Sequence, residues 1–331
     1  MLGSGDLKET LGITESTVEC PVRNCREKVP RQRKVFRRQE KFKCSAHHIY
    51  ISPSTFEYQD EVDNILWRDP SDLELLSRIK RVKRESRIAR DNSEDAVTWN
   101  VFRFLQKANL LPRFLTNLTG NSSHECEAVY WGYSEREDDV WSPLQQSRET
   151  FEIRPKKGSE PDVIIRCDNA LFFIEAKLAS GNYTRLGSKD PRVKEKYVTG
   201  GNNWYSKVFH SDFETVAIVQ KKYELLRFWI LGTWIAHTLD LDFYLVNLVL
   251  SEREKDIERV FGPHIKENEH RKFLRTKWED IYHVIQDTQM SAEDKDTISK
   301  YFEEKTLGYD SQGRVQKAFS IPQYKRSRRI K

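Results

Sequence analysis

The chain has 331 residues, with 56 Lys or Arg against 51 Asp or Glu, and a formal net charge of +5. This length suits about two domains, and the 17 Phe, 13 Tyr and 8 Trp supply packed cores, which excludes a wholly disordered chain. The most apolar run, residues 228–236, is too short to span a bilayer, and the first ten residues lack a basic-then-apolar leader. We therefore expect a cytoplasmic protein without membrane contact.

Three of the five cysteines lie in residues 1–60, after a polar arm that covers residues 1–19. Cys20 and Cys25 form one close pair, and Cys44 and His47 form a second, with His48 as the rival of His47. Thiolate and imidazole ligands in two close pairs suit tetrahedral Zn²⁺. The pattern predicts a small zinc-ribbon-like module with a structural zinc ion. The alternative is three reduced cysteines near an unrelated histidine.

The segment between the two ligand pairs is strongly basic. Its cations alternate with Phe36 and Phe42, an arrangement that suits phosphate contacts and base stacking. We therefore predict a nucleic-acid-binding loop, although charge runs are also typical of solvated surfaces. Its candidate contact residues are Arg31, Arg33, Lys34, Arg37, Arg38, Lys41 and Lys43.

Residues 61–90 follow as a basic helical connector. The segment 78–90 holds seven Lys or Arg and one Glu, and Arg81, Lys83 and Arg84 are further candidate nucleic-acid contacts. A third basic patch lies at residues 324–331. Three such patches indicate a nucleic-acid footprint.

Residues 91–250 alternate helical and strand-like patterns. The predicted elements are a helix that ends before Pro112, short strands at 125–133 and 149–154, a hairpin at 162–178, a loop with a short helix at 180–212, a long helix at 214–238 and a strand at 242–250. This order predicts an α/β core with a mixed sheet. Residues 251–331 form a helical C-terminal region with a basic tail, its helices expected at 252–260, 264–287 and 291–305. Cys126 and Cys167, within the core, are expected as buried thiols.

The hairpin carries charges that a purely structural hairpin would avoid. Glu175 and Lys177 lie two residues apart in an apolar strand and therefore share a face, which Asp162 can reach across the hairpin. Buried charges are costly unless they pair or bind a metal. Two carboxylates suit Mg²⁺ (or Mn²⁺), the Ala176 backbone carbonyl could add a ligand, and Lys177 could orient water or stabilise developing charge. The alternative is a cross-strand ion pair on a surface hairpin.

Pro161-Asp162, twelve intervening residues and then Glu175-Ala176-Lys177 resembles the signature of the PD-(D/E)xK nuclease superfamily. The resemblance implies a restriction-endonuclease-like core of α-β-β-β-α-β order over residues 91–250. It also implies Mg²⁺-dependent hydrolysis of DNA by Asp162, Glu175 and Lys177.

The family's first helix often supplies another metal-site carboxylate. The matching candidate is Glu94, with Asp95 and Asp91 as rivals and a first-turn capping acid as the alternative. The helix that follows the hairpin often bears a polar residue facing the site, and the candidates here are Gln220, Lys221 and Tyr223.

These patterns predict a metal-dependent DNA endonuclease acting in defence against foreign DNA, transposition or repair. DNA is the expected partner, and a homodimer is expected by analogy with enzymes that cut both strands. Two alternatives stay open. One is a non-catalytic nucleic-acid-binding protein on a nuclease-like scaffold, and the other is an interaction protein whose partners bind the helical region 251–320.

Overall fold

A computed structural model describes residues 1–83, 85–187 and 190–321. Within these ranges no helix is long and apolar enough to cross a membrane. Arg84 and the basic tail at 324–331 lie outside the described residues. The helices are α1 Pro70–Val82, α2 Glu94–Lys107, α3 Leu111–Thr119, α4 Ser142–Phe151, α5 Pro191–Val208, α6 Tyr223–Leu239, α7 Ile257–Phe261, α8 Trp278–Gln286 and α9 Ala292–Glu304.

The strands form one large sheet and three small ones. They are β1 Thr17–Glu19, β2 Lys28–Pro30, β3 Lys43–Cys44, β4 Ile49–Ile51, β5 Phe56–Tyr58, β6 Glu127–Tyr130, β7 Tyr133–Ser134, β8 Asp139–Val140, β9 Val163–Arg166, β10 Ala170–Ala176, β11 Asp242–Val249, β12 Arg271–Lys277, β13 Thr306–Tyr309 and β14 Val315–Lys317.

The chain divides into two compact units. The first comprises Met1–Arg68, Arg87–Phe104 and the segment from Trp278 onward, and the second comprises Asp69–Ser86 and Leu105–Lys277. Helix α2 begins in the first unit and ends in the second.

The first unit is built on the small antiparallel sheet β3-β4-β5 and the ribbon β1-β2. Their inward side chains, among them Val18, Ile51 and Phe56, are fully buried in one apolar cluster. The last segment belongs to this unit because Leu11 N–H donates to Gly313 O at 2.7 Å and Val315 N–H donates to Glu9 O at 3.0 Å.

The second unit is organised by a seven-stranded mixed sheet of order β12-β11-β10-β9-β6-β7-β8. Strand β11 runs parallel to β10 and β12, whereas β9 runs antiparallel to β10 and β6. Every residue of β10 is buried, as expected for a central strand covered on both faces. Helix α6 packs closely on this sheet, because a Cβ built on Gly232 would lie 2.1 Å from the Phe243 ring.

Two predicted elements differ from the structure. The segment 149–154, predicted as a strand, contains the end of α4. Helix α2 ends at Lys107, before Pro112 as predicted, and Pro112 lies in the first turn of α3, where its fixed φ is favourable. The predicted helix 264–287 contains the edge strand β12, in which only Phe273 and Thr276 are buried. The C-terminal region is therefore mixed α/β rather than purely helical, since β12, β13 and β14 all lie in it.

Candidate active site and metal centre

The charged residues of the predicted hairpin lie in one row across the large sheet. Val163 on β9 pairs with Ile174 on β10, so Asp162, one residue before β9, comes opposite Glu175. On the other side of β10, Glu175 pairs with Asn247 on β11. Side chains in register on neighbouring strands share a face, so these three polar groups lie side by side.

Both oxygens of the Asp162 carboxylate are held by N–H donors. Ala176 N–H donates to Oδ2 at 2.9 Å, and the indole Nε1–H of Trp131 donates to Oδ1 at 3.1 Å. Trp131 reaches this position from a two-residue turn between β6 and β7, in which it has φ 49° and Gly132 has φ 87°. Positive φ at both positions is what a tight hairpin turn of this hand requires. The carboxylate is therefore fixed in orientation before any ligand arrives.

Glu175 is a carboxylate inside the sheet, with only 3% of its surface exposed. The Lys177 ammonium donates to its Oε1 and lies 3.4 Å from Oε2 of Glu224. Burial raises the pKa of Glu175 well above its usual range, Lys177 opposes that shift, and the Asp162 and Glu224 carboxylates add to it. Three acids and one lysine thus form a single electrostatic group.

Glu224 is the member of this group that the sequence pattern did not single out. It lies in the first turn of α6, where its backbone N–H donates to Thr184 Oγ1 at 2.8 Å. The residues proposed from this helix lie elsewhere: Lys221 donates to the Tyr183 hydroxyl at 2.9 Å, and Tyr223 lines a separate cavity. Gln220 ends a short π-helical turn before α6.

A buried polar network fixes the chain around this row. Asn182 Nδ2 donates to Asn247 Oδ1 at 2.6 Å and to Glu254 Oε2 at 2.7 Å, and Asn247 Nδ2 donates to the same Glu254 oxygen at 2.9 Å. Lys222, just before α6, donates to Asn182 O at 3.0 Å. The network ties the loop after β10 to the start of α6, the two segments that carry Lys177 and Glu224.

Glu94, the candidate from the first helix, lies in the first turn of α2. It belongs to the first unit, whereas Asp162 belongs to the second. Of its rivals, Asp91 is fully buried with Lys305, whose ammonium lies 3.7 Å from Asp91 Oδ1, and Asp95 Oδ2 accepts from Arg87 N–H at 2.9 Å. Asp91 and Asp95 therefore have structural partners, and the metal role of Glu94 stays a prediction.

The expectation that Asp162 and Glu175 hold Mg²⁺ stays a prediction. Within the described part of the chain, one group of three or more potential metal ligands has all its ligand atoms within 4.8 Å of one another. That group is Cys20, Cys25, Cys44 and His47, and not the row around Asp162. Mg²⁺ needs only one or two carboxylates, because waters and substrate phosphates complete its shell. N–H and C=O of one strand residue project to the same side, so the Ala176 carbonyl faces the Asp162 side along with its N–H.

The first unit contains a second constellation, formed by Cys20, Cys25, Cys44 and His47. Their ligand atoms all lie within 4.8 Å of one another, as a tetrahedral metal centre requires. Cys25 Sγ lies 3.8 Å from Cys44 Sγ, and His47 Nδ1 lies 3.4 Å from Cys44 Sγ and 3.7 Å from Cys20 Sγ. The predicted zinc ligands are therefore together in the structure, and the cluster could hold a zinc ion.

The local backbone selects His47 over His48. Cys44 ends β3, its carbonyl accepts from His48 N–H at 2.9 Å, and His48 adopts φ 52°, which closes the turn with His47 beside the thiols. Glu27 holds the same turn by accepting from Ser45 N–H at 2.8 Å and from Ser45 Oγ at 2.7 Å. Those bonds, together with Cys44, lower the pKa of Glu27 to about 2.

The remaining two cysteines contradict the prediction of buried thiols. Cys126 and Cys167 form a disulfide between the strand pair β6 and β9. Glu127 pairs with Arg166, so the two cysteines occupy the next opposed position of that antiparallel ladder. The small Cα separation of that position, 4.2 Å, brings the sulfurs together.

The residues predicted to contact nucleic acid differ in their partners within the protein. Among those in the loop, Arg38 donates to Gln59 O at 2.5 Å, and Lys43 pairs with Glu40 at 2.9 Å. In the connector, Arg81 lies 3.4 Å from Asp138, and Lys83 lies over the Trp131 ring at 4.4 Å. The remaining cations of the loop, Arg31, Arg33, Lys34, Arg37 and Lys41, are exposed.

One of the two aromatic residues assigned to base stacking is not available for it. Phe42 is buried with 7% of its surface exposed, so it belongs to the core. Phe36 is half-buried and lies under the Arg90 guanidinium at 5.0 Å. It lines a cavity of about 620 Å³ together with Arg31, Arg33 and Lys34, and the described lining residues of this cavity include no acid.

Comparison of the chain with known protein families, with curated proteins and with solved structures finds no match.

Proposed function

We propose that the second unit is a metal-dependent endonuclease of the PD-(D/E)xK type that hydrolyses DNA phosphodiester bonds. The observation that carries the proposal is the buried Glu175 opposite Asp162 on the neighbouring strand, with Lys177 bonded to it. The elements α2, β6, β9, β10, α6 and β11 follow the α-β-β-β-α-β order of such a nuclease, with α3, β7, β8, α4 and α5 inserted between them and most of α2 assigned to the first unit. The antiparallel pairs β6-β9 and β9-β10 and the parallel pair β10-β11 support the same topology.

Each residue has a distinct role in this proposal. Asp162 and Glu175 hold Mg²⁺ (or Mn²⁺), assisted by the Ala176 carbonyl, and the bound cation polarises the scissile phosphate. Lys177 supplies a cation beside the reacting phosphate, where it orients water and stabilises developing charge. Glu224 is a positioning residue, because its Oε2 lies 3.4 Å from the Lys177 ammonium.

The first unit is proposed to bind DNA next to its zinc centre. The support is the basic cavity around Arg31, Arg33 and Lys34, which belongs to the loop that joins β2 to β3. Cations without nearby acids neutralise backbone phosphates and release counterions, a sequence-independent source of affinity. A homodimer and protein partners of the region after residue 250 stay predictions.

A second function is favoured by one observation. The Asp162 oxygens already accept two N–H bonds, and Glu175 already pairs with Lys177, so the row is stable as it stands. Such a row suits a nucleic-acid-binding protein that keeps a nuclease-like scaffold without cutting.

The deciding experiment compares plasmid cleavage in Mg²⁺, Mn²⁺ and EDTA. Asp162→Asn and Lys177→Met are expected to lower the cleavage rate by roughly 10²-fold or more, and Glu224→Gln by roughly tenfold. Asp168→Asn is the matched control, an exposed acid in the turn of the same hairpin, and should cut like the wild type. Wild-type protein that binds DNA but cuts it in no metal would favour the non-catalytic function.

A further inference from the structure

A cavity of about 480 Å³ opens beside the start of α6. Its volume is within the range of small-molecule sites, about 300–1,000 Å³. Among the described residues that line it, the cations outnumber the acids by four to two. The cations are Arg154, Lys157, Arg192 and Arg227, and the acids are Glu152 and Asp190.

Both acids are already committed to partners within the protein. Glu152 accepts from Ser159 N–H at 2.9 Å and from the Tyr197 hydroxyl at 2.8 Å, and it also pairs with Arg227 at 3.3 Å. Asp190 caps the first turn of α5 by accepting from the backbone N–H of Arg192 at 3.0 Å. Its carboxylate also pairs with the Arg192 guanidinium at 2.6 Å. The cavity therefore offers net positive charge to a ligand.

Arg227 is a cation of this cavity whose orientation is fixed by its neighbours. Its guanidinium lies 5.3 Å from the centroid of the Tyr223 ring, and 19% of its side chain is exposed. Glu152 engages Nε and Nη2, so the planar group is held in one orientation. Glu152 engages two of the three guanidinium nitrogens, so further N–H donors are left for an anion, and a guanidinium suits phosphate oxygens in charge and geometry.

Helix α6 contributes residues both to this cavity and to the candidate active site. Tyr223 lines it, the next residue, Glu224, contacts Lys177, and Arg227 follows one helical turn later. Burial lowers the pKa of Arg227, but nearby groups including Glu224 raise it by more, so these side chains are electrostatically coupled. A nucleic-acid strand bound at the candidate active site would therefore meet residues of the same helix that lines this cavity.

We propose that this cavity is a phosphate-binding subsite for the substrate strand, with Arg227 as its main ligand and Arg154 at its rim. The phosphate is either the terminal phosphomonoester of a strand or a phosphodiester that flanks the cut. This proposal rests on the proposed nuclease function for its substrate class. It concerns binding, however, and binding is measured apart from cleavage.

The test measures binding of labelled DNA to the full chain in buffer without added Mg²⁺ or Mn²⁺, where cleavage that needs these cations does not occur and a bound zinc ion is not removed by a chelator. The probes are a short oligonucleotide with a terminal phosphate, the same oligonucleotide without it, and a closed circular DNA, with inorganic phosphate as competitor. Arg227→Gln is expected to weaken DNA binding roughly tenfold or more, and Arg154→Gln to weaken it less. Arg227→Lys should restore part of the affinity that Arg227→Gln loses. Arg259→Gln, an exposed cation outside the cavity, is the control.

The three probes distinguish the two sources of phosphate. A wild-type preference for the terminal phosphate that Arg227→Gln removes assigns a strand end, whereas an equal loss on all three probes assigns a flanking phosphodiester. Unchanged binding in both cavity variants, or an equal loss in Arg259→Gln, would overturn the subsite. If Arg227→Gln fails to fold, the exposed Arg154 decides alone, because its replacement leaves the buried pair intact.

Because the readout does not require cutting, the two proposals fail separately. A protein that never cleaves but loses DNA affinity in these variants keeps the subsite and loses the nuclease. A protein that cleaves DNA, and whose cavity variants bind it as tightly as the wild type, keeps the nuclease and loses the subsite.

Discussion

Lys177→Met is expected to destabilise the second unit by about 3–5 kcal/mol near neutral pH, because it leaves the buried Glu175 without its cation. Glu175 is 3% exposed, and its partner ammonium also serves Glu224 at 3.4 Å. At that separation and an effective dielectric constant of about 20, two unit charges attract by about 5 kcal/mol. Desolvation of the charges offsets part of this attraction, so the smaller range is the expected net cost.

The cost should also depend on pH. Burial raises the pKa of Glu175 well above its usual range, and Lys177 is the group that opposes the shift. A carboxyl whose pKa is raised by folding is protonated more readily in the folded state. Its penalty is absent below its unfolded pKa of about 4.3, grows as the pH rises toward the folded pKa, and is fully present above it. Without Lys177 the folded pKa moves higher still. The variant should therefore lose more stability at about pH 8 than at about pH 5.

Urea unfolding at these two pH values, without divalent metal, measures the effect. The double variant Glu175→Gln with Lys177→Met should recover much of the loss, since neither partner then carries a buried charge. Lys194→Met, which removes an exposed pair with Glu214, should cost less than about 1 kcal/mol. A loss that is the same at both pH values, or a double variant as unstable as the single one, would refute the reasoning.

Two further outcomes are expected. Purified protein should carry about one zinc ion per chain when its metal content is measured by atomic absorption. The variant His47→Ala should lose this zinc and His48→Ala should retain it. Equal loss of zinc in both variants would contradict the assignment of His47 as the ligand. Gly232→Ala should lower the free energy of unfolding by about 1–3 kcal/mol, measured by thermal unfolding, because the added Cβ would lie 2.1 Å from the Phe243 ring. A variant as stable as the wild type would show instead that α6 can shift to make room.

The hairpin could be predicted because its evidence is local. Asp162, Glu175 and Lys177 interrupt apolar strands, and the period of two assigns them to one face before any tertiary contact is known. The zinc ligands are equally local, since each pair spans a single turn. Short-range geometry brings the residues of each pair together, whereas the meeting of the two zinc-ligand pairs, 19 residues apart at Cys25 and Cys44, depends on the packing of the first unit.

The residues that were missed depend on long-range contacts. Glu224 has the pattern of an ordinary first-turn acid, and only the packing of α6 brings it to Lys177. The disulfide joins cysteines 41 residues apart, so its pairing follows from the register of β6 and β9 and not from spacing. Strand β12 is half polar because it is an edge strand, and its sequence therefore favours a helical assignment.

The discontinuous first unit has a consequence for synthesis on the ribosome. It combines Met1–Arg68 with the segment from Trp278 onward, and Leu11 and Val315 take part in backbone bonds between these two parts. The unit with the cysteine cluster can therefore complete its fold only after the segment from Trp278 has emerged, although its first residues emerge at the start. The usual order of N-terminal before C-terminal folding is thus reversed, and the second unit can finish first. A ribosome stalled before Trp278 would leave three reduced thiols on an incomplete unit.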